Sequence, residues 1–299
     1  MSQLCDKDKG ILSRMKTLHV YLLCLVVLFI FYMVQVRIVD GYLCFDDPTG
    51  IYAAFLIVLS IFILFISLAK TPQVKIPPLN RPKDKLAIDL ILIIGLSFIC
   101  SGWVVSFAGR IHPILMYSCM GGYAIIPIFY IRFTSDNFPH FGYVGSKTFE
   151  YILLGMALGL AATCFSKALY GLTGLSQSLQ SIPFFGQLSG ISFKTLPLLL
   201  IGLAGGGTQN LLCQCQQSLV QDISGHTTKG LILFVVISAI LLWAVYEPLT
   251  FPLTRQTLLR GGNLIGIVLM ALLYYKTNSL VPVIITHIFG NFFLWLPSF

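Results

Sequence analysis

The sequence predicts an all-α fold, a polytopic transmembrane helix bundle of eight or nine spans, and three observations predict it. Hydrophobic residues fill 57% of the 299 positions and charged residues only 10%, where a soluble domain carries roughly 25% charged residues. The apolar residues gather into runs of the length that crosses a hydrocarbon core, about 20 helical residues. The 19 Lys and Arg residues lie in short connections between those runs, not in one aromatic-interleaved patch, so the formal charge of +8 marks topology rather than a nucleic-acid surface. Membrane lipid is the partner this composition implies, and nucleic acid is excluded.

Taken in order, the apolar runs fall near residues 17–36, 50–69, 87–108, 113–131, 151–169, 195–213, 230–247, 261–275 and 280–298, with the eighth the shortest. The first sixteen residues are basic and lead into the first run without a small-residue cleavage pattern, so a retained span is expected rather than a cleaved signal peptide. Lys70 to Lys85 contains Pro72, Pro77, Pro78 and Pro82, which suit neither a helix interior nor a central strand. It is the expected joint, and it divides the chain into a two-span N-terminal region (1–86), a middle helical bundle (87–194) and a C-terminal domain (195–299). Residues 171–194 mix Gly, Ser, Gln and Pro and read as a long surface-packed connection. With the N-terminus inside, 13 of the 19 Lys and Arg residues fall on the inner side and six on the outer. The bias is concentrated before residue 90, and it predicts a multi-pass protein with a cytoplasmic N-terminus. The eight cysteines include no CxxC pair and mostly lie inside apolar runs, as thiols buried in helices do.

Polar residues collect in the C-terminal half. The last span carries His287 and Asn291 one helical turn apart, on one face and at a depth where polar groups are costly. Such a pair either ties two helices together or belongs to a site. Gly205, Gly206 and Gly207 remove three side chains in mid-span and precede Gln209, Asn210, Gln214, Gln216 and Gln217. This stretch reads either as a helix leaving the membrane with its amides in water or as the lining of a polar cavity. Glu247 ends the seventh span, before Pro248, as an interfacial carboxylate or a candidate base. Lys167, near a span end, is expected to snorkel to the headgroups, and Asp89 to sit at the interface. An intramembrane Glu, His and Asn on separate helices would suffice to activate water and hold an oxyanion at a peptide carbonyl, without metal. There is no HExxH, a zinc site at His287 would need Glu247 and a further ligand that the sequence does not identify, and no cofactor is named by any motif.

The run from Gly262 to Asn291, a Gly-rich helix, a Thr277-Asn278-Ser279 turn and a final helix bearing HxxxN, resembles the end of the CAAX-protease and bacteriocin-processing (CPBP) family of intramembrane endopeptidases. The resemblance implies a bundle of membrane helices that cleaves prenylated or other membrane-presented peptides, using a Glu pair, two histidines and an Asn around a water-filled cavity. Upstream, Trp243 and Glu247 fall on the Phe and His of the family's Phe-x-x-x-His motif, so that histidine is replaced. Where the family has EExxxR, one register places Leu211 and Leu212 on the glutamates and Gln216 on the arginine. A two-residue shift places Gln209 and Asn210 on the glutamates and Gln214 on the arginine. Both registers lack the carboxylates.

The expected catalytic set is therefore His287, Asn291 and Glu247, with Gln209, Asn210, Gln214, Gln216 and Trp243 lining a cavity or binding substrate. At 1.5 Å per residue Glu247 lies about 25 Å from the inner end of its span and His287 about 10 Å from the inner end of its own, which works against their meeting. Two function classes follow: a divergent endopeptidase, or a non-catalytic scaffold that binds a lipidated or transmembrane peptide, assembles partners or confers immunity. A small transporter using the Gln/Asn cluster is a third, disfavoured by the scarcity of charge within the spans.

Overall fold

The computed structural model describes residues 2–39, 42–74, 82–108, 147–173, 210–211, 213–241 and 257–294. Its elements are α1 (Ser2–Met33), β1 (Val36–Val39), β2 (Tyr42–Phe45), α2 (Gly50–Lys70), α3 (Lys83–Ala108), α4 (Thr148–Thr173), α5 (residues 213–224), α6 (Thr228–Leu241), α7 (Thr257–Thr277) and α8 (Leu280–Leu294). The expected run at 113–131 and most of the run at 195–213 lie outside the described residues. Where an expected span falls on described residues it is helical, except at the end of the first, where Val34 and Gln35 form a turn and Val36 opens a strand.

The antiparallel hairpin β1–β2 is an addition to the all-helical expectation, with Val36 opposite Phe45 and Val39 opposite Tyr42. Its cause is local: β-branched and aromatic residues flank Asp40-Gly41, the pair that favours a two-residue hairpin connection. Arg37 and Asp46 form an ion pair across its base.

Among the described residues, three helices are long and apolar enough to cross a membrane: Lys16–Met33 within α1, Gly50–Lys70 and Thr148–Thr173. The α2 helix shows why. Its buried residues are Ala53, Leu56, Ser60, Ile63 and Ser67, one helical stripe that is small and partly polar. Its outward face carries Ile51, Phe55, Val58, Ile61, Phe62 and Phe65. A water-facing helix is polar outside and apolar inside; this one has the opposite arrangement, which suits hydrocarbon as the surrounding solvent.

Contacts divide the chain into two units. Unit 1 comprises Met1–Pro72, Val144–Leu203 and Ile285–Phe299; unit 2 comprises Gln73–Tyr143 and Ala204–Ile284. In unit 1, α4 packs along both α1 and α2, and the core joins Leu28, Tyr32, Phe45, Ile63, Leu160, Ala161, Cys164 and Phe293. The Tyr32 hydroxyl donates to the Phe293 carbonyl at 3.0 Å, tying α1 to α8. In unit 2, α6 packs on α7 around Val220, Leu231, Phe234 and Ala271.

In unit 1, α4 and α8 approach each other closely at a glycine. A Cβ on Gly159 would come within 2.7 Å of the Thr286 carbonyl oxygen and 2.9 Å of the Gly290 amide nitrogen. Gly155 and Gly159 form a GxxxG pair, the spacing that lets helix backbones meet in lipid. Thr163, one turn on, donates both to the Gly290 carbonyl at 2.9 Å and to its own Gly159 carbonyl at 3.0 Å. Gly159→Ala is expected to lower stability by about 1–3 kcal/mol through backbone displacement. Gly95→Ala on α3, where a Cβ meets nothing within 4 Å, should be neutral or stabilising by up to about 1 kcal/mol. Thermal unfolding of both variants in detergent checks the contrast.

Candidate functional site

The C-terminal helix begins where the sequence says it should, for reasons visible residue by residue. Thr277 ends α7 with its hydroxyl on the Leu273 carbonyl at 2.7 Å. Asn278 then turns left-handed, at φ 44°, a conformation Asn tolerates better than most side chains. Ser279 caps α8 by accepting from the Val281 amide at 3.3 Å, and Pro282 falls in the first turn, where a missing N–H costs little. One turn further on, Thr286 and Gly290 present the face that meets α4. His287 follows Thr286 and is rotated about 100° from that face, so the α4 contact sets its direction. His287 is half-buried and engaged with a neighbouring group.

The amide-rich stretch is the second part. Asn210, Gln214, Gln216, Gln217 and Gln221 are all buried, so the helix does not display its amides to water, and the first of the two readings is corrected. Spacing sorts them: Gln214, Gln217 and Gln221 share one helical face, while Gln216 points elsewhere. Gln217 Nε2 donates to the Ala271 carbonyl of α7 at 2.7 Å, and the adjacent Ser218 hydroxyl lies 2.6 Å from the Tyr274 hydroxyl. Three atoms of the stripe are buried without a hydrogen-bond partner: Oε1 of Gln214, Oε1 of Gln217 and Nε2 of Gln221. Each such atom costs about 1–3 kcal/mol, which no apolar core position would incur.

The other expected site residues are distributed as follows. Gln209, Trp243 and Glu247 lie outside the described residues, as does the side chain of Asn291, whose backbone continues α8. His287 and Asn291 belong to unit 1, and Asn210, Gln214 and Gln216 to unit 2. At the positions that the resemblance assigns to glutamates, Asn210 and Leu211 are buried and uncharged. Among the described residues no group of three His, Cys, Asp or Glu side chains is placed to hold a metal.

Two features escaped the sequence. Asp222 Oδ1 meets His226 Nε2 at 2.7 Å across one turn at the end of α5, signalled only by an i,i+4 Asp/His spacing. His226 is itself left-handed at φ 57° after Gly225 at φ 73°, and Thr227 caps α6 by accepting from the Gly230 amide at 3.3 Å. The other is Lys167. It does not reach for the headgroups: it is 2% exposed, with its ammonium 4.4 Å from the centre of the Phe45 ring. Asp47, just beyond β2, is the carboxylate whose charge acts on it, and both Asp47 oxygens are buried without a hydrogen-bond partner. Gly171 admits this segment, because a Cβ there would collide with the Pro48 carbonyl. The hairpin thus supplies both the ring and the charge that allow a lysine to stay inside.

No protein-family model, curated protein or solved structure matches the chain.

Lys167→Met is expected to destabilise unit 1 by about 3–5 kcal/mol, because it leaves the Asp47 carboxylate buried without its counter-charge. Combining it with Asp47→Asn should recover a large part of that loss. A double-mutant cycle on unfolding in detergent measures the coupling, and strictly additive losses would show the two charges to be independent.

Proposed function

We propose that the chain is a multi-pass membrane protein of eight or nine spans, with a cytoplasmic N-terminus, whose C-terminal third is built like a CPBP intramembrane endopeptidase. We further propose that it binds a membrane-presented peptide, lipidated or transmembrane, without hydrolysing it. One observation carries the second part. Among the positions where the family resemblance calls for carboxylates, the described ones carry a buried leucine, Leu211, and a buried carboxamide, Asn210. A carboxamide donates and accepts hydrogen bonds but takes no proton from water, and loss of a positioned general base forfeits about 10²–10⁴ in rate. The recognition chemistry survives and the proton-transfer chemistry does not.

A hydrolytic reading rests on a different feature, the HxxxN pair on the α8 helix that Gly159 and Thr163 hold in place. In it Glu247 is the base, and His287 and Asn291 hold the oxyanion. The two readings separate in one experiment with the full-length protein in nanodiscs and a fluorescent farnesylated peptide. The expected result is saturable binding with no cleavage product. Cleavage that disappears in both Glu247→Gln and His287→Ala, with folding retained, would replace the binding reading by the hydrolytic one.

A further inference from the structure

Contacts set the direction of each helix in unit 1. The α1 and α2 helices are antiparallel: the Tyr21 hydroxyl lies 2.9 Å from that of Thr71, just past the end of α2, and the Tyr52 hydroxyl, at the start of α2, donates to the Phe31 carbonyl at 2.9 Å. The α4 helix runs the same way as α1. Glu150 in its first turn acts electrostatically on Tyr21, whereas near its end Lys167 covers the Phe45 ring and Gly171 meets the Pro48 carbonyl. The α8 helix follows α4: Thr286 and Gly290 lie against Gly159, Thr163 one turn on donates to the Gly290 carbonyl, and Phe293 reaches Tyr32 and Phe45 at the hairpin end. We propose that the hairpin and the end of α8 lie on one side of the membrane and the start of α1 on the other, so that the chain crosses it an odd number of times between Lys16 and Leu294.

The proposal rests on the multi-pass reading above and goes beyond it by giving the hairpin and the exit of α8 a side and the span count a parity. As helices, Lys16–Met33 extends about 27 Å and Gly50–Lys70 about 32 Å, close to the roughly 30 Å of a hydrocarbon core, so their two ends fall at opposite faces. A chain that starts at one face and leaves α8 at the other has crossed an odd number of times by any route. Of eight and nine spans, nine fits. Charge names the faces. Where α1 starts, Lys16 and Lys70 are exposed and Lys147 is half-buried, with Glu150 among them. That surplus suits the anionic headgroups of a cytoplasmic leaflet. At the hairpin end Arg37 is paired with Asp46, and the charge of Asp47 acts on Lys167, so the described residues there carry no such surplus.

The test introduces cysteines one at a time into the full-length protein in intact bacterial cells and labels them with a membrane-impermeant maleimide, the unmutated protein giving the background from its native thiols. Ile38 on the hairpin is 75% exposed, and Thr49 is exposed and makes no side-chain cap bond to α2, so neither replacement disturbs packing. Ile38→Cys and Thr49→Cys are expected to label in intact cells, and Lys70→Cys only after the cells are opened. Alkaline phosphatase fused after Phe299 should be active, and green fluorescent protein fused there dark. The proposal is overturned if Lys70→Cys labels from the same side as the hairpin cysteines, or if the reporter after Phe299 lies on the Lys70 side or on both sides. A mirror-image result, with every position reversed, upholds the parity and sinks the cytoplasmic N-terminus. Protein that alkaline carbonate strips from the membrane sinks the multi-pass reading itself; failure of this inference alone leaves the protein embedded with its sides otherwise arranged.

Discussion

The close approach of α4 and α8 at Gly159 and Gly290 is the constraint on which unit 1 depends. In lipid, burying apolar side chains between helices gains little over leaving them among acyl chains, so association rests on close van der Waals contact and interhelical hydrogen bonds. Gly159 permits the approach and Thr163 adds a hydrogen bond to it. The same contact determines which way α8 is turned. Thr286 and Gly290 face α4, and His287, the residue after Thr286, is therefore turned about 100° from that contact. Tyr32 and the aromatic cluster around Phe293 then hold the far end of α8 against α1.

Polar groups inside the two units have three different outcomes. Lys167 is accommodated by a ring and a nearby carboxylate, both supplied by the small hairpin and the segment after it. Asp222 is accommodated by a histidine one turn away, where α5 ends in a left-handed turn. The amides of α5 are only partly accommodated: Gln217 has a carbonyl, yet one atom on each of Gln214, Gln217 and Gln221 has none. Buried polar atoms thus stay without partners both at the Asp47 carboxylate and along the row of neutral amides on α5.

Much of the architecture was legible in the sequence because hydropathy reports depth directly. The helices containing 50–69, 87–108, 151–169 and 280–294 follow from run length alone, and the Thr-Asn-Ser turn before α8 follows from cap chemistry at three consecutive residues. What was not legible depends on neighbours. Hydropathy assigns a lysine near a span end to the headgroups, and only the arrival of Phe45 and Asp47 from a hairpin some 120 positions away in sequence reverses that. The hairpin was hidden because its apolar residues extend the first span's run; only the alternation around Asp40-Gly41 distinguishes them. For the glutamines, composition permits exposure or burial equally, and the decision came from α7 packing against them at Ala271 and Tyr274.

On the proposed reading, the amides also bear on what a protease-like scaffold becomes when its carboxylates are gone. A buried carboxylate needs a counter-charge or several hydrogen bonds, and its removal relieves a desolvation cost of several kcal/mol per ion. A glutamine of similar length keeps a carbonyl oxygen in much the same place and adds a donor, at a much smaller cost when unpartnered. The exchange therefore keeps hydrogen-bonding recognition while removing the group that takes a proton. In the reading proposed here the two changes are linked physically. With leucine at Leu211 and amides at Asn210, Gln214 and Gln216, a balancing arginine on the same helix would be a buried charge without a partner. On that reading, glutamine at the arginine position in either register avoids such a charge.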